Sequence, residues 1–239
     1  MPNRAFELLR AAVPTVSVGV ITANLLSLGS EISLLERAGV KLVHVDVMDG
    51  CFCPMMTVGP PFIKAINTPL LKDVHLMIEE PLEKLADYVA AGADMVTIQV
   101  ESCVHVHRVL QKLATFTNVN DPERGIVRGV ALNPGTPLAT LEPLLDELEY
   151  ILLLAVNPGW GGQKYIPATT ARIAQVRRMV VDSGKPIVLG VDGGVTKENI
   201  AQVAAMDVDV IVTGSAVFDG KTPEANARFM LDAVAARLS

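Results

Sequence analysis

The chain has 239 residues, and barrels of alternating strands and helices run to roughly 250 residues around one core, so its length does not demand a split into domains. Half of its residues are hydrophobic and few are aromatic, which suits a core of Val, Ile, Leu and Ala and argues against disorder. A formal net charge of -6 leaves no basic stripe for nucleic acid, and no uninterrupted run of about 18 apolar residues offers a membrane span, so neither is expected as a partner.

Residues 1–15 read as an N-terminal helical extension, with Arg4 and Arg10 and a short apolar patch at 11–13. The patch is too short for the apolar region of a signal peptide, and a cytoplasmic protein is expected. Cys51, Cys53 and Cys103 cannot all pair within one chain and read as reduced thiols.

From residue 16 onward, short β-branched runs alternate with helix-length stretches. The predicted strands are 16–22, 42–47, 73–77, 95–100, 129–132, 150–155, 187–191 and 208–213, nearly all apolar, as strands of a buried parallel sheet are. Apolar spacing near 3.6 predicts helices at 31–38, 82–91, 105–114, 138–146, 169–183, 197–205 and 223–238. Gly39 and Gly92 stand where two of these turn back into strands. No G-x-G-x-x-G follows the first strand, which argues against an open dinucleotide-binding sheet. The expected fold is α/β, a (β/α)8 TIM barrel forming one catalytic domain over 16–239.

Chemistry in such a barrel sits where strands end, so polar residues in apolar strand ends are the candidates. His44 and Asp46 are two apart on one strand and therefore share a face. A buried Asp is costly unless it is paired or bound to metal. His75 lies in the third strand, and Asp192 ends the seventh. Two imidazoles and two carboxylates converging on one mouth suit a divalent metal, Zn²⁺, Fe²⁺, Mn²⁺ or Co²⁺.

Three turns form a second constellation: Asn157-Pro158-Gly159-Trp160-Gly161-Gly162-Gln163, Gly193-Gly194 and Gly214-Ser215-Ala216. Backbone N–H groups exposed by such turns cradle a phosphate dianion, and barrels place that site after strands seven and eight. Lys164 reads as solvated, His105 and His107 as capping or surface groups, and Asp49 as a turn former. Cys51 and Cys53 read as no part of the metal site, which the nitrogen and oxygen donors already fill.

The runs His44-Val45-Asp46-Val47-Met48-Asp49-Gly50, Asp73-Val74-His75-Leu76-Met77, Asn157 to Lys164, Val191-Asp192-Gly193-Gly194 and Gly214-Ser215-Ala216 resemble the ribulose-phosphate 3-epimerase family, in the family's order. The resemblance extends from about residue 16 to the C-terminus. It implies a ribulose-phosphate-binding barrel with one divalent metal, Zn²⁺ or Fe²⁺ foremost, at His44, Asp46, His75 and Asp192. It also implies a phosphorylated ketose inverted at C3, with Asp46 and Asp192 as the acid/base pair, Met48 and Met77 lining the site, and a homo-oligomer.

The sequence departs from the family pattern at Gly19 (a usual serine), Cys51 (histidine), Met55 (asparagine), Gln99 (histidine) and Leu154 (methionine). These positions are those able to touch the variable part of the sugar, so a hexulose or tetrulose phosphate stands as an alternative to ribulose 5-phosphate. Related barrels that decarboxylate keto-sugar acids are expected to keep a lysine beside the strand-end Asp, where this chain has His44 and Met48. A sugar-phosphate-binding paralogue without turnover would bind metal and phosphate but exchange no proton.

Overall fold

A computed structural model describes residues 3–238, without the side chain of Leu238. Met1, Pro2 and Ser239, which the expected extension and barrel domain include, lie outside the described residues. Eight parallel strands close into a barrel in sequence order: β1 (Thr15–Gly19), β2 (Leu42–Met48), β3 (Leu71–Met77), β4 (Met95–Gln99), β5 (Val127–Leu132), β6 (Tyr150–Leu154), β7 (Val188–Asp192) and β8 (Val210–Thr213). β8 pairs with β1 to complete the ring. Among the described residues the α-helices are α1 (Arg4–Ala12), α2 (Leu28–Ala38), α3 (Pro60–Ala65), α4 (Leu85–Ala90), α5 (Val106–Leu113), α6 (Thr169–Ser183), α7 (Ile200–Ala204) and α8 (Pro223–Ala235). None of the described helices is long and apolar enough to cross a membrane.

Both faces of the strands are buried. Outward residues such as Val43, Val45, Ile151 and Ile211 pack with the helices, while Leu42, Leu71, Met95, Val127, Tyr150, Val188 and Val210 fill the interior at the strand starts. That floor is closed by α1, whose Ala5, Phe6 and Leu9 join the interior cluster. Asn3 seats the helix: its side-chain nitrogen donates to Ile126 O at 3.1 Å and to Glu149, and its oxygen accepts from Phe6 N. Residues 4–12 are thus a plug for the barrel rather than an appendage to it.

Several predicted elements are corrected. The stretch 138–146 is a 3-10 helix over Leu138–Leu144, because Pro143 lacks the N–H that an α-turn requires and its ring crowds the preceding carbonyl. The strand predicted at 16–22 ends at Gly19 and passes into a 3-10 turn. α3, with Pro60 at its start and six residues in length, was not among the predicted helices, being too short to show a period. α7 is shorter than 197–205, and a 3-10 turn at Pro81–Lys84 takes the start of 82–91. Gly39 and Gly92 both adopt positive φ, at 90° and 98°, as helix ends.

Candidate active site

The register of β2 against β3 builds the site. His44 pairs with Asp73 and Asp46 with His75, so four polar residues on two adjacent strands face the barrel interior one layer apart. Asp192, at the end of β7, lies between Leu154 and Val212 of the neighbouring strands. His44, Asp46, His75 and Asp192 each offer one donor atom, and these atoms all lie within 4.8 Å of one another. His44 Nε2 is 3.1 Å and His75 Nδ1 3.2 Å from the same Asp46 Oδ1.

Each ring nitrogen turned away from the cluster has its own partner. His44 Nδ1–H donates to Asp73 Oδ2 at 2.8 Å, and Ser17 Oγ donates to that same oxygen at 2.9 Å. Thr57 ties the end of β2 to the following loop, its hydroxyl donating to Asp46 O at 2.6 Å and accepting from Met48 N. Two nitrogens and two carboxylate oxygens, with Asp73 orienting the His44 ring from behind, fit a divalent ion.

Electrostatics separates the two carboxylates. Burial alone would raise the pKa of Asp46, but the charge and hydrogen bonds of His44 and His75 outweigh it and hold the group well below the usual carboxylate range. Burial and the neighbouring Asp46 charge push Asp192 up to about 6, against the opposing pull of His44 and His75. Burial would lower His44, yet Asp73 and Asp46 carry it well above its ordinary value.

Beside the cluster opens a cleft of about 640 Å³, lined by Gly19, Ile21, Asp46, Val156, Asp192 and Val212 toward the barrel axis and by the three turns above. Trp160, Gly161, Gly162, Gly193, Gly194, Gly214 and Ser215 all line it. Gly194 has φ +67°, and a Cβ there would stand 2.4 Å from Tyr165 N, so the turn after β7 and the loop after β6 approach as only glycine allows. Gln163 pins that second loop, donating to Asn157 O at 2.6 Å and Trp160 O at 3.0 Å while accepting from Asn157 N. Asn199 Nδ2 donates to Gly194 O at 2.9 Å.

Other candidates sit elsewhere. Gly159 is packed under Cys53 and Pro54 and does not line the cleft. His44 and His75 are fully buried behind Asp46. Met48 and Met77 pair across the ends of β2 and β3, outside the cleft wall. His105 and His107 are exposed, and His105, at the start of α5, makes no side-chain cap. Lys164 is exposed at the cleft rim. Asp49 is more than a turn former: it accepts from Cys51 N, Phe52 N and Glu79 N, joining the loops after β2 and β3.

Sequence reasoning gave no role to Ser17, Asp73, Thr57, Gln163 or Asn199. A signal for Asp73 existed, since it precedes His75 by two residues and so shares its inward face, as His44 does with Asp46.

Comparison with known proteins gives the family. Residues 15–218 match the Ribulose-phosphate 3 epimerase family. The chain belongs to that family. The ribulose-phosphate 3-epimerase of Bacillus subtilis is 40% identical over 206 residues, covering 85% of this chain and 91% of its own length. The chloroplastic ribulose-5-phosphate-3-epimerase of Arabidopsis thaliana is 40% identical over 210 residues, 86% of this chain and 72% of its own. Among solved structures, KGPDC from Streptococcus mutans superimposes with a TM-score of 0.67 at 15% identity, over 95% of this chain and 100% of its own. The 3-hexulose-6-phosphate synthase from Salmonella typhimurium gives 0.67 at 16% identity, over 93% and 99%. At that identity the two structures share the barrel, and the epimerase family assignment comes from the sequence relatives.

Proposed function

We propose that this member of the ribulose-phosphate 3-epimerase family interconverts D-ribulose 5-phosphate and D-xylulose 5-phosphate. The observation that carries it is the pair Asp46 and Asp192, two half-buried carboxylates in one cleft with proton affinities driven in opposite directions. Inversion beside a carbonyl needs one group to remove a proton and another to return one to the opposite face. β2 and β7 are separated by β1 and β8 in the ring, so the two carboxylates reach the cleft from different sides.

Asp46, ionised, takes the proton from C3, which leaves a planar enediolate. Asp192, which holds its proton below about pH 6, delivers that proton to the other face of C3. The pair ends with its protonation exchanged, ready for the reverse reaction. His44, Asp46, His75 and Asp192 would hold one divalent ion, Zn²⁺ or Fe²⁺ foremost, which supplies polarisation of the carbonyl and offsets the developing negative charge. The turns at Gly161–Gly162, Gly193–Gly194 and Gly214–Ser215 would bind the phosphate and place C3 between the carboxylates.

Gly19 favours a second reading. A Cβ there would meet Gly214 Cα only at 3.5 Å, an ordinary contact, and its φ of -69° suits any residue. Neither backbone nor packing requires glycine, so the bare position serves the cleft, and a hexulose or tetrulose phosphate is the alternative substrate. Initial rates on a panel of ketose phosphates test both. Ribulose 5-phosphate as the best substrate by a wide margin supports the first reading, and preference for a four- or six-carbon ketose supports the second. Release of CO₂ from a keto-sugar acid, or binding without turnover, would overturn both.

The proposal extends to a single barrel domain over 16–239 with 1–15 as an N-terminal helical extension, a cytoplasmic location and a homo-oligomer. The exposed Leu26 and Met56 side chains, in the loops after β1 and β2, are apolar surface that a second copy would cover.

A further inference from the structure

The two histidines turn different atoms toward Asp46, Nε2 from His44 and Nδ1 from His75. A metal-binding imidazole must keep its lone pair on the inner nitrogen and its proton on the outer one, so the two rings need opposite tautomers. Asp73 settles this for His44. His75 has no carboxylate on its outer nitrogen. Its Nε2 lies 3.0 Å from the side-chain amide of Gln99, a residue with no exposed surface.

An amide presents a donor or an acceptor according to which way it is turned. With its oxygen toward His75, Gln99 donates through its nitrogen to Glu101 Oε2 at 2.8 Å and Ala131 O at 3.2 Å. Turned the other way, its oxygen would face those two acceptors. Glu101 is itself held in place. Its Oε1 accepts from Asn133 N at 2.8 Å and from the Thr136 hydroxyl, and Arg172 grips the same turn through Thr136 O at 2.8 Å and Asn133 O at 3.2 Å.

We propose that Gln99 and Glu101 are positioning residues: Glu101 fixes the Gln99 amide, whose oxygen holds the proton of His75 on Nε2 and so presents Nδ1 to the metal. The inference rests on the reading of His75 as a metal ligand. It makes the histidines unequal partners, since a neutral amide accepts a weaker hydrogen bond from His75 than the Asp73 carboxylate does from His44. It also ties metal affinity to the loops after β4 and β5, on the far side of His75 from the cleft.

The test is Co²⁺ titration of the metal-free full-length protein, followed by visible absorption against a competing chelator, with the metal-free melting temperature measured in parallel. Gln99→Met keeps the volume and removes both polar atoms. It is expected to weaken Co²⁺ binding by about 10–100-fold and shift the visible bands, while leaving the metal-free melting temperature within a few degrees. Gln99→His is expected to restore most of the affinity, because an imidazole can donate to Glu101 with one nitrogen and accept from His75 with the other.

Glu101→Gln, at an exposed residue, is expected to lose affinity in the same direction, and it carries the test if Gln99→Met does not fold. Unchanged affinity and spectrum in these variants would overturn the proposal. So would a loss matched by an equal fall in metal-free stability that Gln99→His does not recover. His75→Ala separates the two levels: if it too leaves Co²⁺ affinity unchanged, the metal reading has failed, and if it alone abolishes binding, only the role of Gln99 and Glu101 has failed.

Discussion

Asp46 and Asp192 share one cleft yet hold their protons at opposite ends of the carboxylate range, Asp46 well below it and Asp192 at about 6. The division follows from position. Asp46 sits against both imidazoles, with Oδ1 at 3.1 and 3.2 Å from their nitrogens, whereas burial and the charge of Asp46 dominate Asp192. Replacing either carboxylate by its amide removes one of the two proton carriers. Asp192→Asn and Asp46→Asn are each expected to lower kcat by about 10²–10⁴-fold. Steady-state kinetics on ribulose 5-phosphate check this, and a variant that keeps more than a tenth of the activity would remove its residue from the proton path.

Metal affinity should depend on pH with a defined sign. His44 has its pKa raised well above the ordinary value in the metal-free protein, so its inner nitrogen holds a proton that a cation must displace. Asp46 is already ionised and adds no such dependence. Affinity should therefore be weakest in acid and climb as pH rises, with release of at least one proton per ion bound while His44 is charged. Calorimetric titrations in buffers of different ionisation enthalpy measure the protons directly. An affinity that is flat with pH, with no proton release, would contradict the charge assignment.

Gly194→Ala tests the phosphate cradle. The added Cβ would stand 2.4 Å from Tyr165 N and 2.7 Å from Tyr165 Cα at a φ of +67°, so backbone must move on one side of the cleft. The expected result is a rise in KM of about tenfold or more, with weaker competition by inorganic phosphate to match. Unchanged KM and phosphate inhibition would place the phosphate elsewhere.

The floor helix makes a stability prediction separable from catalysis. Leu9 is fully buried among the interior residues at the strand starts. Leu9→Ala should cost about 2–5 kcal/mol, a fall in Tm of roughly 5–15 °C in a chain of this size. KM for the sugar phosphate should stay unchanged, because α1 closes the end of the barrel away from the cleft. A Tm within a degree of the parent would show that α1 does not seal the floor.

Much of this was legible in the sequence because the determinants are local. Strand positions followed from apolar runs between turn residues, and His44 with Asp46 from a spacing of two on a strand. The helix at 138–146 failed because apolar spacing hides what a single Pro143 does to the hydrogen-bond ladder. The partnership of Asp73 with His44, and of Gln99 with His75, depends on the register between strands, which no single strand encodes. The packing of Gly159 beneath Pro54 joins loops more than a hundred residues apart in the chain and was equally invisible.

The central claim, a proton removed and returned at C3 by Asp46 and Asp192, is tested most directly by NMR of metal-loaded protein with ribulose 5-phosphate in deuterated water. The account predicts deuterium at C3 accompanying formation of xylulose 5-phosphate, with both lost in Asp192→Asn. Metal-loaded protein that binds the sugar phosphate but incorporates no deuterium into it or any other ketose phosphate would contradict the account.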